Sequence, residues 1–130
     1  IITIHQESTT RLYSCIEKIK SRGVKAGVVL SPATNEDTLK YVLDKIDMIL
    51  LMTINPGEAG PGFHEELLTK IKNVRELIGD RDIDLEVDGG IDNTNIAKCK
   101  EAGVNVFVSG GYVFKGDIAE KIKTLREALK

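Results

Sequence analysis

Short apolar runs rich in β-branched residues alternate with amphipathic helical periods from one end of this 130-residue chain to the other. The runs are Ile1–His5, Val24–Leu30, Met48–Ile54, Ile83–Val87 and Val104–Ser109. Their apolar residues are nearly continuous, which predicts strands buried on both faces. Between them, Leu12, Ile16 and Ile19 mark one helical face, closed by Gly23 in a C-terminal capping position. Leu39, Val42, Leu43 and Ile46 mark a second helix, entered through Pro32-Ala33-Thr34-Asn35. Leu67, Leu68, Ile71, Val74 and Ile78 mark a third, and a shorter fourth runs from Asn93 to Ala102 and stops at Gly103. Ile118, Ile122, Leu125 and Leu129 form the last stripe.

This alternation requires parallel strands joined by crossover helices. Successive strands then lie side by side, either in an open doubly wound sheet or in part of a (β/α)8 barrel. A whole barrel takes about 250 residues and eight units, and this chain supplies roughly five. The expected fold class is α/β: a partial (β/α)8 TIM barrel of about five parallel βα units, forming one domain over residues 1–130. A chain that opens on an apolar strand, without Met, leads to the expectation that three further units once preceded it.

Composition narrows the partners. Hydrophobic residues make up 42% and charged residues 29%, with a formal net charge of −2, as in an ordinary soluble domain. Lys and Asp/Glu interleave without a basic patch, so nucleic acid is not an expected partner. No apolar run is long enough to span a bilayer, and Ile1-Ile2-Thr3-Ile4 lacks the basic flank and length of a secretory leader. No membrane partner is expected. Cys15 and Cys99 lie far apart and outside any CxxC or Cys/His metal spacing, so they read as reduced thiols of a cytoplasmic protein.

Ligands of parallel α/β folds sit at the C-terminal ends of the strands. Two glycine pairs, Gly89-Gly90 and Gly110-Gly111, end successive runs just before helices, and Gly57, Gly60 and Gly62 crowd the preceding loop. Glycine lets backbone amides approach a ligand closely, and neighbouring loops of this kind at the last two strands of a barrel cradle phosphate. A single pair would read as a tight turn; two in consecutive units favour phosphate. Asp88 is the leading catalytic candidate, because a carboxylate ending an apolar strand needs a compensating partner. That partner could be a metal ion, a substrate hydroxyl or a helix cap. Asp92 offers itself as the cap instead. A turn-forming Asp ahead of Gly-Gly is an equally good reading on these grounds.

Strand alternation points Glu86 to the same side as Asp88, and Glu7 and Glu86 are candidate acids or supporting partners. His5 is expected in the same layer as Asp88, where a structural role outweighs ligation. Met52 reads as core and His64 as a solvated surface residue.

Several stretches together resemble the ribulose-phosphate 3-epimerase family. They are Ile2-Thr3-Ile4-His5-Gln6-Glu7, Lys25 to Thr34, Met52-Thr53-Ile54-Asn55-Pro56-Gly57, Glu86-Val87-Asp88-Gly89-Gly90 and Gly110-Gly111. The resemblance covers essentially the whole chain in order, as the family's fourth through eighth βα units. It implies interconversion of D-ribulose 5-phosphate and D-xylulose 5-phosphate, with a phosphorylated ketose as substrate. It further implies a divalent metal ion (Zn, Fe, Mn or Co) and two aspartates that move protons on opposite faces of C3. Asp88 corresponds to the second aspartate, which is also a metal ligand. Gly57, Glu58, Ala59, Gly60, Gly89, Gly90, Gly110 and Gly111 correspond to the phosphate and substrate loops. The family's other metal ligands, two histidines and an aspartate, fall on strands that this chain does not contain, so alone it is expected to be inactive and to self-associate or pair with the missing half. The close relatives acting on D-allulose 6-phosphate, and a non-catalytic phosphosugar-binding half-barrel, are the alternatives. Two departures stand out. The family usually has Phe-Gly-Gly-Gln where Glu58-Ala59-Gly60-Pro61 stands, and Gly-Ser where Gly110-Gly111 stands. A carboxylate at Glu58 suits a phosphate loop only if it turns outward.

Overall fold

A computed structural model describes residues 1–58 and 62–130. Five strands form one sheet: β1 (Ile2–His5), β2 (Ala26–Leu30), β3 (Met48–Met52), β4 (Asp84–Asp88) and β5 (Val106–Val108). All four pairings are parallel and the spatial order is β1-β2-β3-β4-β5. That order decides between the two expected architectures. A doubly wound sheet reverses its strand order at a switch point, whereas each strand here is laid beside the one before it, as around a barrel.

Among the described residues five α-helices accompany the strands: α1 (Leu12–Lys20), α2 (Leu67–Ile78), α3 (Ile96–Ala102), α4 (Gly111–Phe114) and α5 (Ile118–Ala128). The apolar stripe of α2 runs as expected, with Ile71, Val74 and Ile78 fully buried. The second helical period does not form an α-helix. Leu39, Val42, Leu43 and Ile46 are all buried, but they are carried by two 3₁₀ turns, Glu36–Leu39 and Leu43–Lys45. Thr38, Tyr41 and Val42 are weak helix formers in a short window. The Asn35 side chain meanwhile caps a tight turn by accepting from the Asp37 amide at 2.8 Å. The hydrophobic spacing therefore predicted burial correctly and helix type wrongly.

Burial on both faces holds for β2 and not for β4. Residues 26–30 are buried throughout. In β4, Leu85 and Val87 are fully buried, while Asp84, Glu86 and Asp88 are half-buried on the opposite face. The first group packs with Val28, Leu30, Ile49 and Leu51 in the core shared with the helices. The second faces what would be the interior of a barrel. β1 is the more open edge, with Ile2 about half exposed, and β1 and β5 each pair with one neighbour among the described residues. The stripe on α5 is partly covered: Leu125 is buried and Leu129 packs against the core, but Ile118 and Ile122 remain exposed.

Candidate active site at the C-terminal ends of the strands

The register fixes which residues share a level. Ser31 follows the β2 partner of Leu51, so the end of the β2 ladder meets Met52, which pairs with Asp88, which pairs with Val108. His5 pairs with Val29, Val29 with Leu50 and Leu50 with Glu86. His5 therefore lies level with Glu86 and one pleat below Asp88, a correction to the shared layer expected from the sequence. Its ring nitrogen Nδ1 lies 3.4 Å from a Glu7 carboxylate oxygen, which supports the structural role.

Glu7 proves to be a clamp. One of its oxygens accepts from the Ser31 amide and the Thr34 hydroxyl, both at 2.6 Å. Burial raises the Glu7 carboxyl, but those hydrogen bonds outweigh it and hold the group down at about 2. From the other side Lys70, a buried lysine of α2, donates to the carbonyls of Ser31 at 2.9 Å and Pro32 at 3.1 Å. Burial pulls its ammonium below the ordinary lysine value, against the opposing charges of Glu36 and Glu7. The loop after β2 is thus gripped by an anion and a cation.

A carboxyl depressed in the folded state stabilises the fold above its unfolded value and loses that contribution as pH falls. Glu7→Gln is accordingly expected to lower stability at pH 7 by about 1 kcal/mol after allowance for solvent screening. The difference from the wild-type chain should shrink between pH 4.5 and 2. Thermal melts of both chains across that range test this; a difference that is constant with pH refutes the clamp.

Of the three carboxylates on the inner face of β4, Asp84 is engaged, accepting from Asn105 Nδ2 at 2.6 Å. Glu86 and Asp88 have no hydrogen-bond partner among the described residues. Burial raises both carboxyls, and for Glu86 the charges of Asp88 and Asp84 raise it further. Asp92 does not take α3 as its cap directly. Its carboxylate accepts from the Thr94 amide at 2.8 Å and hydroxyl at 2.6 Å, closing a turn before α3 begins at Ile96. No described residue donates to the Asp88 carboxylate.

The two glycine pairs differ. Gly89 (φ +127°) and Gly90 (φ +66°) are wedged under the loop after β3, where a Cβ on Gly89 would lie 2.6 Å from Ile54 Cγ1 and one on Gly90 would lie 2.7 Å from the Phe63 amide nitrogen. Gly110 and Gly111 have negative φ and open space where a Cβ would stand. Gly57 (φ +80°) occupies the third position of a turn closed by the Glu58 amide donating to Asn55 O at 3.1 Å, the position where a turn after Pro needs glycine. Glu58 is exposed and folds back on its own loop, 3.4 Å from Asn55 Nδ2. Ala59 and Gly60 lie outside the described residues.

For a divalent cation this face offers Asp88 as one oxygen donor without a competing partner among the described residues. Among the described residues no group of three His, Cys, Asp or Glu side chains occurs that could hold a metal ion by itself. Sequence reasoning missed Lys70 and Thr53. Both carried a signal: Lys70 sits on the apolar stripe of α2, and Thr53 is the single polar residue within the run Met48–Ile54.

Sequentially ordered parallel strands, with a carboxylate at the C-terminal end of β4, define a segment of a (β/α) barrel. A solved structure of 3-hexulose-6-phosphate synthase shares that fold, with a TM-score of 0.72 and 24% identity over 98% of this chain and 61% of the other. The chain belongs to the ribulose-phosphate 3-epimerase family, whose model matches residues 1–114. It is 48% identical over 115 residues to a ribulose-phosphate 3-epimerase of Serratia marcescens, covering 87% of this chain and 55% of that protein. It is 42% identical over 132 residues to the Escherichia coli K12 enzyme of the same name, covering 99% and 59%. A chloroplastic ribulose-5-phosphate-3-epimerase of Arabidopsis thaliana is 41% identical over 131 residues, covering 97% and 47%. The chain thus spans about half the length of these relatives. Among the described residues no helix is long and apolar enough to cross a membrane.

Proposed function

We propose that this chain supplies the phosphate-binding end and one acid/base carboxylate of a ribulose-phosphate 3-epimerase, acting on D-ribulose 5-phosphate to give D-xylulose 5-phosphate. The carrying observation is Asp88: a half-buried carboxylate at the end of β4, on the inner face, unclaimed by any described residue and followed directly by Gly89-Gly90. The names of the relatives support the substrate.

In this reading Asp88 carries a proton at one face of C3. As the acid it delivers that proton to C3 after a second carboxylate, outside this chain, has removed one from the opposite face. In the reverse direction it is the base. The same carboxylate would be one ligand of a divalent cation, with the remaining ligands outside this chain. Such a cation would supply Lewis-acid stabilisation of negative charge developing on the substrate oxygens. Gly110-Gly111, with open space above exposed backbone, and the Gly57–Gly60 loop would receive the phosphate.

The β1 and β5 edges and the half-open inner face would be completed by the remaining barrel strands or by self-association. Sedimentation of the isolated chain is expected to show association, and a well-folded dilute monomer would contradict this. The test of function is hydrogen exchange at C3 of D-ribulose 5-phosphate in D2O by the full-length protein containing this chain. Metal-dependent loss of the C3 proton signal is expected. Absence of exchange with this sugar phosphate, with binding retained, would overturn the reading in favour of a non-catalytic phosphosugar-binding barrel.

A further inference from the structure

We infer that Thr53 is a positioning residue that locks the orientation of the Gly89–Gly90 peptide plane; its consequence for ligand binding rests on the phosphate reading above. Thr53 directly follows β3, and its side chain is fully buried. Its amide donates to the Asp88 carbonyl at 2.9 Å, its carbonyl accepts from the His64 amide at 3.4 Å, and its hydroxyl donates to the Gly89 carbonyl at 2.5 Å. One residue therefore ties the backbone of the candidate catalytic aspartate, the loop after β3 and the glycine pair together.

The hydroxyl bond is the informative one. Two consecutive glycines with positive φ can exchange the directions of the C=O and N–H between them at little steric cost. In a trans peptide those groups point opposite ways, and no cis peptide occurs among the described residues. Fixing the Gly89 carbonyl on Thr53 therefore turns the Gly90 N–H away from Thr53, where no described residue accepts from it and an anion could. A flipped plane would present a carbonyl oxygen there and repel it. The geometry is built for this contact. A Cβ at Gly89 would come within 3.0 Å of the Thr53 hydroxyl oxygen, so glycine at 89 is what lets the hydroxyl reach. A buried hydroxyl without such a partner would be unfavourable, and the hydroxyl has no other partner among the described residues.

The test uses the ¹⁵N-labelled chain with Thr53→Val, which keeps the shape and removes the donor, and Thr53→Ser, which keeps the donor. The Gly90 amide resonance is recorded first without ligand, then during titration with inorganic phosphate, with amide exchange of the rest of the chain as the control. In Thr53→Val the Gly90 amide resonance should split into two conformers or broaden through exchange between them, and phosphate should bind about tenfold more weakly. The Leu125 amide of α5 should keep its wild-type protection, separating a local change from general loosening. Thr53→Ser should match the wild-type chain within about twofold on both measures. An unchanged Gly90 amide in Thr53→Val, or a serine variant that behaves like the valine one, overturns the lock. If Thr53→Val does not fold, the serine comparison alone decides. A changed Gly90 amide in Thr53→Val, with no response of the wild-type Gly90 to phosphate, supports the lock and overturns the phosphate reading instead.

Discussion

If Asp88 carries the proton as proposed, Asp88→Asn in the full-length protein is expected to slow C3 proton exchange with D-ribulose 5-phosphate by about a thousandfold, while leaving the fold at least as stable as before. Asn has nearly the same shape, and the inter-strand bond from the Thr53 amide uses the Asp88 backbone carbonyl, which the substitution keeps. What is lost is the ability to hold and release a proton. What is gained is relief of a carboxylate that burial disfavours, beside a second carboxylate at Glu86 on the same face. Loss of activity with an undiminished melting temperature is the signature of a group kept for chemistry and not for structure. Glu86→Gln is the control. It stands one pleat deeper, level with Leu50 and His5, so it should share the effect on stability but cost less than about tenfold in exchange. Exchange by Asp88→Asn within tenfold of the wild-type rate would remove Asp88 from the proton-transfer role.

The strands and their order were legible in the sequence because β-branched apolar runs at regular intervals leave a parallel sheet as the economical solution. The acidic face of β4 was legible only in part. Asp84-Leu85-Glu86-Val87-Asp88 alternates strictly, a pattern that assigns the carboxylates to one face. Treating the run as continuous hid Asp84, which the structure shows bound to Asn105. The region of residues 36–46 was read through its hydrophobic spacing, and spacing records which residues are buried more faithfully than which hydrogen bonds carry them. The partners of Lys70, Glu7 and Thr53 could not be assigned from sequence. Each acts across a separation of 24 residues or more, on a backbone carbonyl, amide or hydroxyl of another loop. Such partners exist only once the strands are in register.

The glycine pairs, alike in sequence, should respond oppositely to alanine. At Gly89 the added methyl meets the Ile54 backbone nitrogen at 2.8 Å as well as Ile54 Cγ1, and φ is +127°. A backbone atom at a strand end has little room to retreat, and the dihedral is one that alanine resists. Gly89→Ala should therefore cost about 2–4 kcal/mol and lower the melting temperature by roughly 10 °C. It should also break the Thr53 contact. At Gly111 nothing stands within 4 Å of a Cβ, φ is not positive and the residue opens α4. Alanine favours helix over glycine there, so stability should stay within about 0.5 kcal/mol or rise. If Gly110-Gly111 receives phosphate, the same methyl enters the space the anion would occupy, and affinity for inorganic phosphate should fall several-fold, roughly 1 kcal/mol. Melting curves and phosphate titrations of the two variants separate the roles. A Gly89→Ala chain that melts within 2 °C of the wild type would mean the loop after β3 yields easily, whereas unchanged phosphate affinity in Gly111→Ala would move the anion site away from β5.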